Sequence, residues 1–477
     1  MDTRRTCFAL VDSAQHRRPP KPHVTRRLIL ILILALTASS NAQDWLTYRH
    51  DSARSGQSST SLQLPLQEAW KWRSKHPPQP AWPGPAKRDA YNKVENLESR
   101  LSFDRAFHVV SAKGRIYFGS SADDQVRCFD AKTGEQLWTF FTEAPVRFAP
   151  TIHDGKILVG SDDGHAYCLS AATGKELWRY RAAKRDVRIP GNGRLMSPWP
   201  VRTGIVVRNN IAYFCAGLFP SEGAWLCAVR ASTGKPVYKL PLSGTHPQGY
   251  ILASQKHLYV PTGRGKPAVH IRKTGKKLRD LGGGGGTFAL LVGDSLIYGP
   301  GKTGQLSEFP DAKDQVATFH GLHMIVSGDH SWLHNGRDVS ALLRTRFLKL
   351  TGEQRRLRAE SSALAKSLKG RKKKSALIKK TQKKIETLGS RLKKIEKQLP
   401  GCVLWTTPSN MRYELIKTKK LLFVGGDGVI AAYLATTGKE VWRGKVRGRA
   451  WGIAAANGRL FVSTDEGVIY CFEGAQR

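Results

Sequence analysis

The chain has 477 residues, with 77 Lys and Arg against 37 Asp and Glu, and therefore a formal net charge of +40. A content of 40% apolar and 24% charged residues is typical of a globular protein and excludes a mostly disordered or fibrous chain. Seven cysteines over this length exclude a small scaffold held by disulfides, and 46 glycines favour a turn-rich, all-β fold. The excess of positive charge points to an anionic partner or surface.

The first predicted element is an export signal. Arg26 and Arg27 precede an apolar run at 28–36, which is too short for a membrane-spanning helix of about 20 residues. Small residues such as Ala42 follow the run, so we predict that residues 1–42 are a removed signal region. The mature protein is then expected in the periplasm or outside the cell, without a lipid anchor or transmembrane span and without nucleic acid as a partner.

An internal repeat organises the rest of the chain. Residues 114–140, 155–180 and 420–444 each read as an apolar strand, an Asp/Gly turn, an alternating strand, a Thr-Gly turn and a short strand with Trp. A fourth strand precedes each copy, as at 107–112. Successive Thr-Gly turns are 40, 60 and 41 residues apart, starting at Thr133, Thr173, Thr233 and Thr274. A period near 40 with four strands predicts the blades of a β-propeller.

The two ends of the repeat complement each other. The last copy, 458–474, has no fourth strand, and an isolated strand is predicted at 64–72. We therefore expect the N-terminal strand to complete the last blade and close the ring. The length available gives about 40 residues per blade for eight blades. The sequence predicts an all-β, eight-bladed propeller of four-stranded antiparallel blades, formed by residues 43–343 and 400–477.

The remaining segment, 344–399, is predicted to be a helical hairpin inserted in the propeller. Apolar residues recur in it at heptad spacing on both sides of the turn 369–371, which indicates an antiparallel coiled coil. From Glu353 to Leu399 there are 17 Lys and Arg against four Asp and Glu. Two interpretations stay open: a solvated helix face, or a docking surface for acidic lipid head groups, a polyanionic glycan or an acidic partner.

Four cysteines, Cys128, Cys168, Cys227 and Cys471, occupy the same place in the repeat. Equivalent positions in separate blades usually lie too far apart for a disulfide. We therefore predict small, buried, unpaired thiols.

Two copies of the repeat, from Asp163 to Trp178 and from Asp427 to Trp442, resemble the pyrroloquinoline-quinone (PQQ) repeat. Residues 44–56 resemble the leader of secreted members of the same superfamily. This resemblance implies the quinoprotein-type propeller, which PQQ-dependent alcohol dehydrogenases share with outer-membrane assembly factors of the BamB type. It also implies blade-docking tryptophans, with Trp72 or its neighbour Trp70 in the closing blade: Trp72, Trp138, Trp178, Trp405 and Trp442.

The resemblance to the dehydrogenases does not extend to their chemistry. Those enzymes resemble one another in a pair of adjacent cysteines, acidic and amide ligands for calcium, and a catalytic Asp. This chain has no adjacent cysteines, and the Asp residues of its repeat occupy turns, where Asp caps its own backbone. We therefore predict no catalytic residue, no metal site and no cofactor, with PQQ included in that expectation.

A candidate ligand site is predicted where the innermost strands of the blades begin. Cationic and aromatic residues recur there in several blades: Arg105, Phe107, Arg147, Phe148, Arg202, Arg412, Tyr413, Arg449 and Trp451. These positions converge on one mouth of the central channel, where Arg side chains bind carboxylate, sulfate or phosphate and aromatic rings stack on sugars. The alternative is that the Arg side chains bond blade carbonyls and the rings fill the channel wall.

Together these features predict a non-catalytic exported propeller that serves as a binding or scaffold module, with a role in cell-envelope or outer-membrane protein assembly. Its expected partners are a protein, an anionic glycan or an envelope surface. The alternatives are a PQQ-dependent dehydrogenase and an anionic glycan-binding propeller.

Overall fold

The computed structural model describes residues 43–83, 86–89, 94–97, 99, 101–191, 193–219, 221–263, 265–300, 304–368 and 376–475. The predicted export signal at 1–42 and the predicted helix turn at 369–371 lie outside the described residues. In the part of the chain that is described, no helix is both long and apolar enough to cross a membrane.

Short strands make up most of the described chain, as expected for a sequence rich in Gly turns and alternating apolar residues. In chain order they are β1 (Leu66–Arg73), β2 (Ala86–Asp89), β3 (Val94–Leu97), β4 (Val110–Ala112), β5 (Arg115–Ser120), β6 (Gln125–Asp130), β7 (Gln136–Phe141), β8 (Thr151–His153), β9 (Lys156–Gly160), β10 (His165–Ser170), β11 (Glu176–Arg181), β12 (Ile189–Gly191), β13 (Arg194–Met196), β14 (Thr203–Gly204), β15 (Val206–Arg208), β16 (Ile211–Ala216), β17 (Trp225–Arg230), β18 (Pro236–Pro241), β19 (Gly249–Tyr250) and β20 (Leu252–Ala253).

The second half continues with β21 (His257–Val260), β22 (Ala268–Ile271), β23 (Lys277–Asp280), β24 (Phe288–Val292), β25 (Ser295–Gly299), β26 (Gln305–Pro310), β27 (Ala317–His320), β28 (His323–Ser327), β29 (His330–His334), β30 (Asp338–Leu343), β31 (Val403–Pro408), β32 (Glu414–Lys417), β33 (Leu421–Gly425), β34 (Asp427–Leu434), β35 (Glu440–Ala456), β36 (Arg459–Thr464) and β37 (Val468–Gly474). Two α-helices, α1 (Arg344–Leu368) and α2 (Ala376–Gln398), and a 3-10 turn, Leu399–Cys402, separate β30 from β31.

The strands form antiparallel meanders of four. Among the described residues these are the six sheets β4 to β7, β8 to β11, β15 to β18, β20 to β23, β24 to β27 and β28 to β31. A seven-stranded sheet holds two further meanders, because the 17-residue strand β35 ends one, β32 to β35, and begins the next. The predicted propeller of four-stranded antiparallel blades is confirmed. The number of blades stays a prediction, since the last two meanders share a strand.

The last meander is completed by the N-terminal strand, as predicted. β1 pairs antiparallel with β37, and Trp70 stands opposite Cys471. In the first two meanders Trp138 stands opposite Cys128 and Trp178 opposite Cys168. A β-bulge between Glu68 and Trp70 shifts the register in β1. Trp70 is therefore the equivalent of the repeat tryptophans.

These tryptophans pack on the Thr-Gly turn of the following sheet. A Cβ atom on Gly174, where φ is +73°, would lie 2.6 Å from the Trp138 ring, so only glycine fits there. The indole N–H of Trp138 donates to the carbonyl of Ala171 at 3.1 Å. The same packing on a turn glycine is made by Trp70, Trp178 and Trp405, and by Tyr238 in the third meander. Trp442 donates to the carbonyl of Leu66 in the closing strand.

Trp72 has different contacts. Its ring lies against Phe107, Phe118 and Phe129 of the first meander, with centroid distances of 6.5, 5.3 and 5.3 Å. The closing strand therefore contacts the first meander through two tryptophans, and Trp72 contributes apolar packing rather than the turn contact of the repeat.

The two helices pack antiparallel, since Glu353 pairs with Arg391 whereas Glu360, farther along α1, pairs with Lys384, which comes earlier in α2. Arg391 pairs with Glu353 at 2.8 Å and Arg358 with Glu396 at 3.0 Å. Buried residues of this helix pair, among them Leu357, belong to the same apolar cluster as residues of the sheets β24 to β27 and β28 to β31. The predicted coiled coil stays a prediction, while the helical hairpin is present on both sides of its turn.

The described cysteines are all buried and unpaired. Burial raises the pKa of Cys128, Cys168, Cys227 and Cys471 to about 12. The thiols are therefore protonated at neutral pH and act as small packing residues, as predicted.

Candidate functional site

The first strands of the meanders surround residues 43–60, which we name the axial segment. Its backbone hydrogen bonds reach Ser111 of β4 from Trp45, Ile152 of β8 from Leu46, Leu291 of β24 from Ala53, and Lys417 of β32 from Gly56. Because these strands belong to four different sheets, the axial segment lies where the sheets meet. Trp45 and Arg54 are among the largest fully buried side chains of the described chain. The centre of the propeller is thus filled by the chain itself.

Five residues at this centre form what we name the axial cluster: Tyr48, Arg49, Arg54, Tyr250 and Glu414. Tyr48 and Tyr250 stack with ring centroids 3.6 Å apart and nearly parallel planes. The Arg54 guanidinium lies 5.8 Å from the Tyr48 centroid and 5.1 Å from the Tyr250 centroid, within range of cation–π attraction. Arg49 forms an ion pair with Glu414, and their side chains are 2% and 3% exposed.

The charges of the axial cluster are compensated internally. Arg49 also donates to the carbonyl of Leu415 at 3.1 Å, and Arg54 donates to the carbonyl of Ile251 at 3.2 Å. Burial lowers the pKa of Arg54 to about 10, so its guanidinium remains charged at neutral pH. Burial also raises the pKa of Glu414, and the neighbouring Arg49 opposes that shift. Arg49 and Glu414 therefore neutralise each other, while Arg54 is held by carbonyl oxygens, a hydroxyl and two aromatic faces, and both arginines are buried.

Two arginines of the predicted mouth, Arg147 and Arg202, share one carboxylate. Arg202 bonds both oxygens of Asp162 at 2.9 Å, and the Arg147 Nε donates to Asp162 at 2.6 Å. Arg147 also lies 3.5 Å from Asp104. Burial alone would raise the pKa of Asp162, but the two guanidinium groups hold it below its usual range. Two cations therefore face two carboxylates, which leaves these arginines neutralised.

The loop that follows β1 extends over this part of the mouth. Arg147 donates to the carbonyl of Gln79 at 2.5 Å. The indole N–H of Trp82 donates to the side chain of Gln248 at 2.8 Å. The loop thus crosses from the first meander towards the fourth and shields the buried arginines from solvent.

The aromatic residues of the same region fill space. Phe148 stacks on Phe103 with centroids 5.0 Å apart and meets Tyr250 edge-on at 5.0 Å. Phe107 is buried beneath Trp72. Arg105 is half-buried. For Phe107 and Phe148 the environment is that of a channel wall.

The other predicted residues lie around the seventh and eighth meanders and remain accessible. Tyr413 and Trp451 contact each other with ring centroids 4.5 Å apart. The side chain of Arg449 is 39% exposed and lies 3.9 Å from Asp465. Arg412 is exposed. The structure therefore separates the nine predicted mouth residues into a buried, compensated group and an accessible group, and binding of a ligand at the mouth stays a prediction.

The cavities beside the axial cluster are small. One of about 10 Å³ is lined by Trp45, Tyr48, Arg49, His108 and Glu414, among others, and one of about 30 Å³ by Tyr48, Tyr250, Phe288 and His323, among others. A single water needs about 10–15 Å³, whereas ligand pockets usually measure about 300–1,000 Å³. These two spaces hold water molecules at most.

A larger cleft lies on the surface between the sixth and seventh meanders. It measures about 420 Å³ and is lined by Gly336, Arg337, Pro408, Ser409, Asn410, Tyr433 and Arg443. Arg337 is exposed, while Arg443 bonds Glu440 through two nitrogens at 2.8 Å. The cleft adjoins Arg412, since a Cβ atom on Gly336 would lie 3.6 Å from the Cβ of Arg412.

Comparisons with known proteins agree with this geometry. A family model described as outer membrane protein assembly factor BamB, built on the PQQ repeat, matches residues 68–246 and 426–477. The matched residues include the first meanders and the closing one. The match over these residues supports a PQQ-repeat family of β-propellers.

Solved structures of PQQ-repeat propellers and one designed protein share the fold. Quinohemoprotein alcohol dehydrogenases from Comamonas testosteroni and Pseudomonas putida HK5 superpose with TM-scores of 0.55 and 0.56 at 13% and 11% identity. They cover 92% and 93% of this chain, and 82% of each enzyme is covered. The computationally designed Ika8 protein has a TM-score of 0.51 at 13% identity over 78% of this chain and 96% of its own. A sequence search among curated proteins gives no significant match.

The residues of this PQQ-repeat propeller do not fit a quinone cofactor with a calcium ion. Within the described ranges no group of three or more His, Cys, Asp or Glu side chains is placed to hold a metal ion. The described cysteines contain no adjacent pair. The axial cluster fills the centre, and the cavities beside it are too small for a tricyclic quinone.

Sequence reasoning missed the axial cluster of this PQQ-repeat propeller. Glu414 stands 365 positions from Arg49, so neither spacing nor the 40-residue period connects them. The available signal is compositional: a Glu inside the apolar strand β32 requires a buried cation, and the aromatic and basic stretch 44–54 supplies two arginines.

Proposed function

We propose that the chain is a non-catalytic binding or scaffold propeller of the cell envelope that takes part in outer-membrane protein assembly. The observation that carries the proposal is the axial segment, whose buried side chains, among them the Arg49–Glu414 ion pair, occupy the centre of the ring. Because its own side chains fill the central channel, we expect this propeller to bind partners through its outer surfaces. The family description, an outer membrane protein assembly factor, supports a protein partner and an exported location.

Cofactor binding is the test that separates this proposal from a PQQ-dependent dehydrogenase. Purified mature protein is titrated with PQQ in the presence of calcium, and quinone absorbance and dye-linked alcohol oxidation are recorded. The proposal expects no saturable spectral change and no calcium-dependent oxidation. Stoichiometric PQQ binding with turnover would establish the enzyme and reject the non-catalytic proposal.

Partner capture tests the scaffold role. The mature protein is immobilised and exposed to detergent-solubilised envelope, and we expect it to retain outer-membrane β-barrel proteins or the machinery that assembles them. If wild type retains nothing beyond the bare resin, the scaffold proposal is wrong.

A shortened helix pair serves as the matched variant in that capture. Deleting all of 344–399 would leave Glu308 without its buried partner Arg344. Replacing 359–386 with Gly-Gly-Ser keeps this pair and the buried Leu357, Leu388 and Ile395. Loss of the captured proteins in this variant assigns them to the distal helices, and their retention assigns them to the propeller.

An anionic glycan is the second candidate ligand, and the accessible mouth residues favour it. Arg412 adjoins the cleft of about 420 Å³ that exposes Arg337, and Arg449 and the Tyr413–Trp451 ring pair are the other accessible residues of the predicted mouth. Arginine forks bind carboxylate or sulfate, and aromatic faces stack on sugars. The double variant Arg412→Ala with Arg449→Ala should abolish binding to an array of acidic glycans. Equal binding by wild type and variant, or none by wild type, would reject this ligand.

A further inference from the structure

One face of α2 carries lysines that form no ion pair with a carboxylate of the described residues. We name it the lysine stripe: Lys379, Lys383, Lys393, Lys394 and Lys397. At 3.6 residues per turn these positions lie on one side of the helix, opposite the buried Ile378, Leu388 and Ile395. All five lysines are exposed, and in the described structure none has a carboxylate within ion-pairing distance. Glu386 is the acidic residue on this face.

The cations of α2 that do have partners face α1. Lys384 pairs with Glu360 at 2.9 Å and Arg391 with Glu353 at 2.8 Å. The described ion pairs between the helices therefore use Arg391 and Lys384 of α2 and Arg358 of α1, and none of them uses a lysine of the stripe. Its charge contributes nothing to the helix contact.

The helix pair is held firmly at its base, which fixes the position of the stripe. Arg344 forms a buried ion pair with Glu308, with side chains 6% and 4% exposed. Phe347 stacks on Phe319 of β27 with centroids 5.0 Å apart. The amide of Thr345 donates to Asp329 at 3.0 Å. These contacts attach the base of α1 to the sheets β24 to β27 and β28 to β31. The helix pair that carries the stripe is therefore anchored to the propeller at its base.

We propose that the lysine stripe docks the protein on an anionic phospholipid bilayer, an inference that rests on the envelope location proposed above. Lysine is a compact, strongly hydrated point charge without the planar fork of arginine, and it suits dispersed head groups better than the bidentate phosphate contacts of nucleic acid. From Lys379 to Lys397 the stripe extends about 27 Å at 1.5 Å per residue, which allows several head groups to be contacted together.

Vesicle binding tests the inference. Mature protein is sedimented with vesicles of phosphatidylglycerol and phosphatidylcholine in equal amounts, and with pure phosphatidylcholine. We expect binding to the anionic vesicles only, and its loss at high salt. Each lysine near an anionic bilayer strengthens binding on the order of fivefold. The variant with Gln at 379, 383, 394 and 397 should therefore bind at least tenfold more weakly while keeping the wild-type unfolding transition.

The matched control replaces four exposed lysines of the propeller with Gln: Lys75, Lys184, Lys266 and Lys445. These lie at the strand ends opposite to those that carry the helix pair, and the net charge changes equally. Binding within twofold of wild type is expected. Equal losses in both variants, no binding by wild type, or tighter binding to duplex DNA or heparin than to the vesicles would each overturn the inference. Because the assay needs neither partner nor cofactor, a negative result leaves the scaffold proposal standing.

Discussion

The axial segment and the helix pair both lie outside the blade repeat, and they use basic residues in opposite ways. In the axial segment Arg49 and Arg54 are 3% and 1% exposed, and each is matched by a carboxylate, a ring or a carbonyl. In the helix pair Arg391 is paired but 51% exposed, and the lysine stripe has no partner at all among the described residues. The same residue class is thus structural in one region and available for recognition in the other.

The difference follows from solvation. Removing a charge from water costs several kcal/mol, so a buried cation persists only where its partner is fixed, and the pair becomes a condition of folding. An exposed cation keeps its water, and its ion pairs contribute about 0–1 kcal/mol. The net charge of +40 therefore combines two kinds of charge: buried charges that the fold depends on, and exposed charges that remain solvated.

The largest expected effect comes from Arg49→Ala. It leaves Glu414 buried without its cation, and breaking such a pair costs about 3–5 kcal/mol. Urea unfolding of the mature protein measures the loss as a lower midpoint with an unchanged slope. The double variant Arg49→Ala with Glu414→Gln should recover part of it, because no buried charge remains. A loss below about 1 kcal/mol in the single variant would contradict the assignment of Arg49 as structural.

Acid should weaken the centre before the helix pair. Burial lowers the pKa of His108 to about 4 and of His334 to about 3. Because the unfolded chain binds these protons near pH 6.5, stability is full above that pH and falls below it, by about 1.4 kcal/mol per pH unit for each His. For His108 the loss reaches about 3 kcal/mol by pH 4. His108 meets Tyr48 edge-on at 5.0 Å, so its protonation disturbs the axial cluster.

Hydrogen exchange at pH 5 and pH 7 tests whether acid destabilises the centre of the propeller before the helix pair. Residues 344–398 contain no His, so α1 and α2 should keep their protection while β4 and the axial segment lose theirs. His108→Gln should flatten the pH dependence of the unfolding midpoint. Equal loss of protection in both regions, or an unchanged slope in the variant, would show that the axial histidines do not control acid stability.

The closing strand and the helices were predictable from the sequence because both leave local signals. The strand at 64–72 stands alone in the sequence, without the other three strands of a blade, while the last repeat copy lacks its fourth strand. β1 pairs with β37 as expected. The heptad spacing at 344–399 gives α1 and α2. The sequence left the equivalent of the repeat tryptophan open between Trp70 and Trp72. The bulge before Trp70, which recurs before Trp138 and Trp178, places Trp70 opposite Cys471.

The repeat pattern locates the predicted mouth residues along the chain but does not report which charges pair with them. Alignment of the repeats placed Arg147 and Arg202 correctly at the starts of inner strands. It treated Asp162 as an ordinary turn residue, although this carboxylate binds both arginines. Asp162 is 15 residues from Arg147 and 40 residues from Arg202, and its place in a turn gives no sign that it binds both guanidinium groups. Arg412 and Arg449 stay accessible because no equivalent carboxylate is buried beside them in the described structure.

The smallest expected effect, and the sharpest contrast with Arg49→Ala, comes from Arg391→Ala in the helix pair. Its partner Glu353 lies 2.8 Å away, but the two side chains are 51% and 33% exposed. Loss of such a pair leaves a carboxylate that water solvates, so the free energy of unfolding should fall by about 0–1 kcal/mol. High salt should erase even this loss, whereas it should leave the effect of Arg49→Ala nearly unchanged. If Arg391→Ala lowered the free energy of unfolding as much as Arg49→Ala does, the exposed charges of the helices would also stabilise the fold. The contrast between structural charges in the axial segment and charges available for docking in the helix pair would then be wrong.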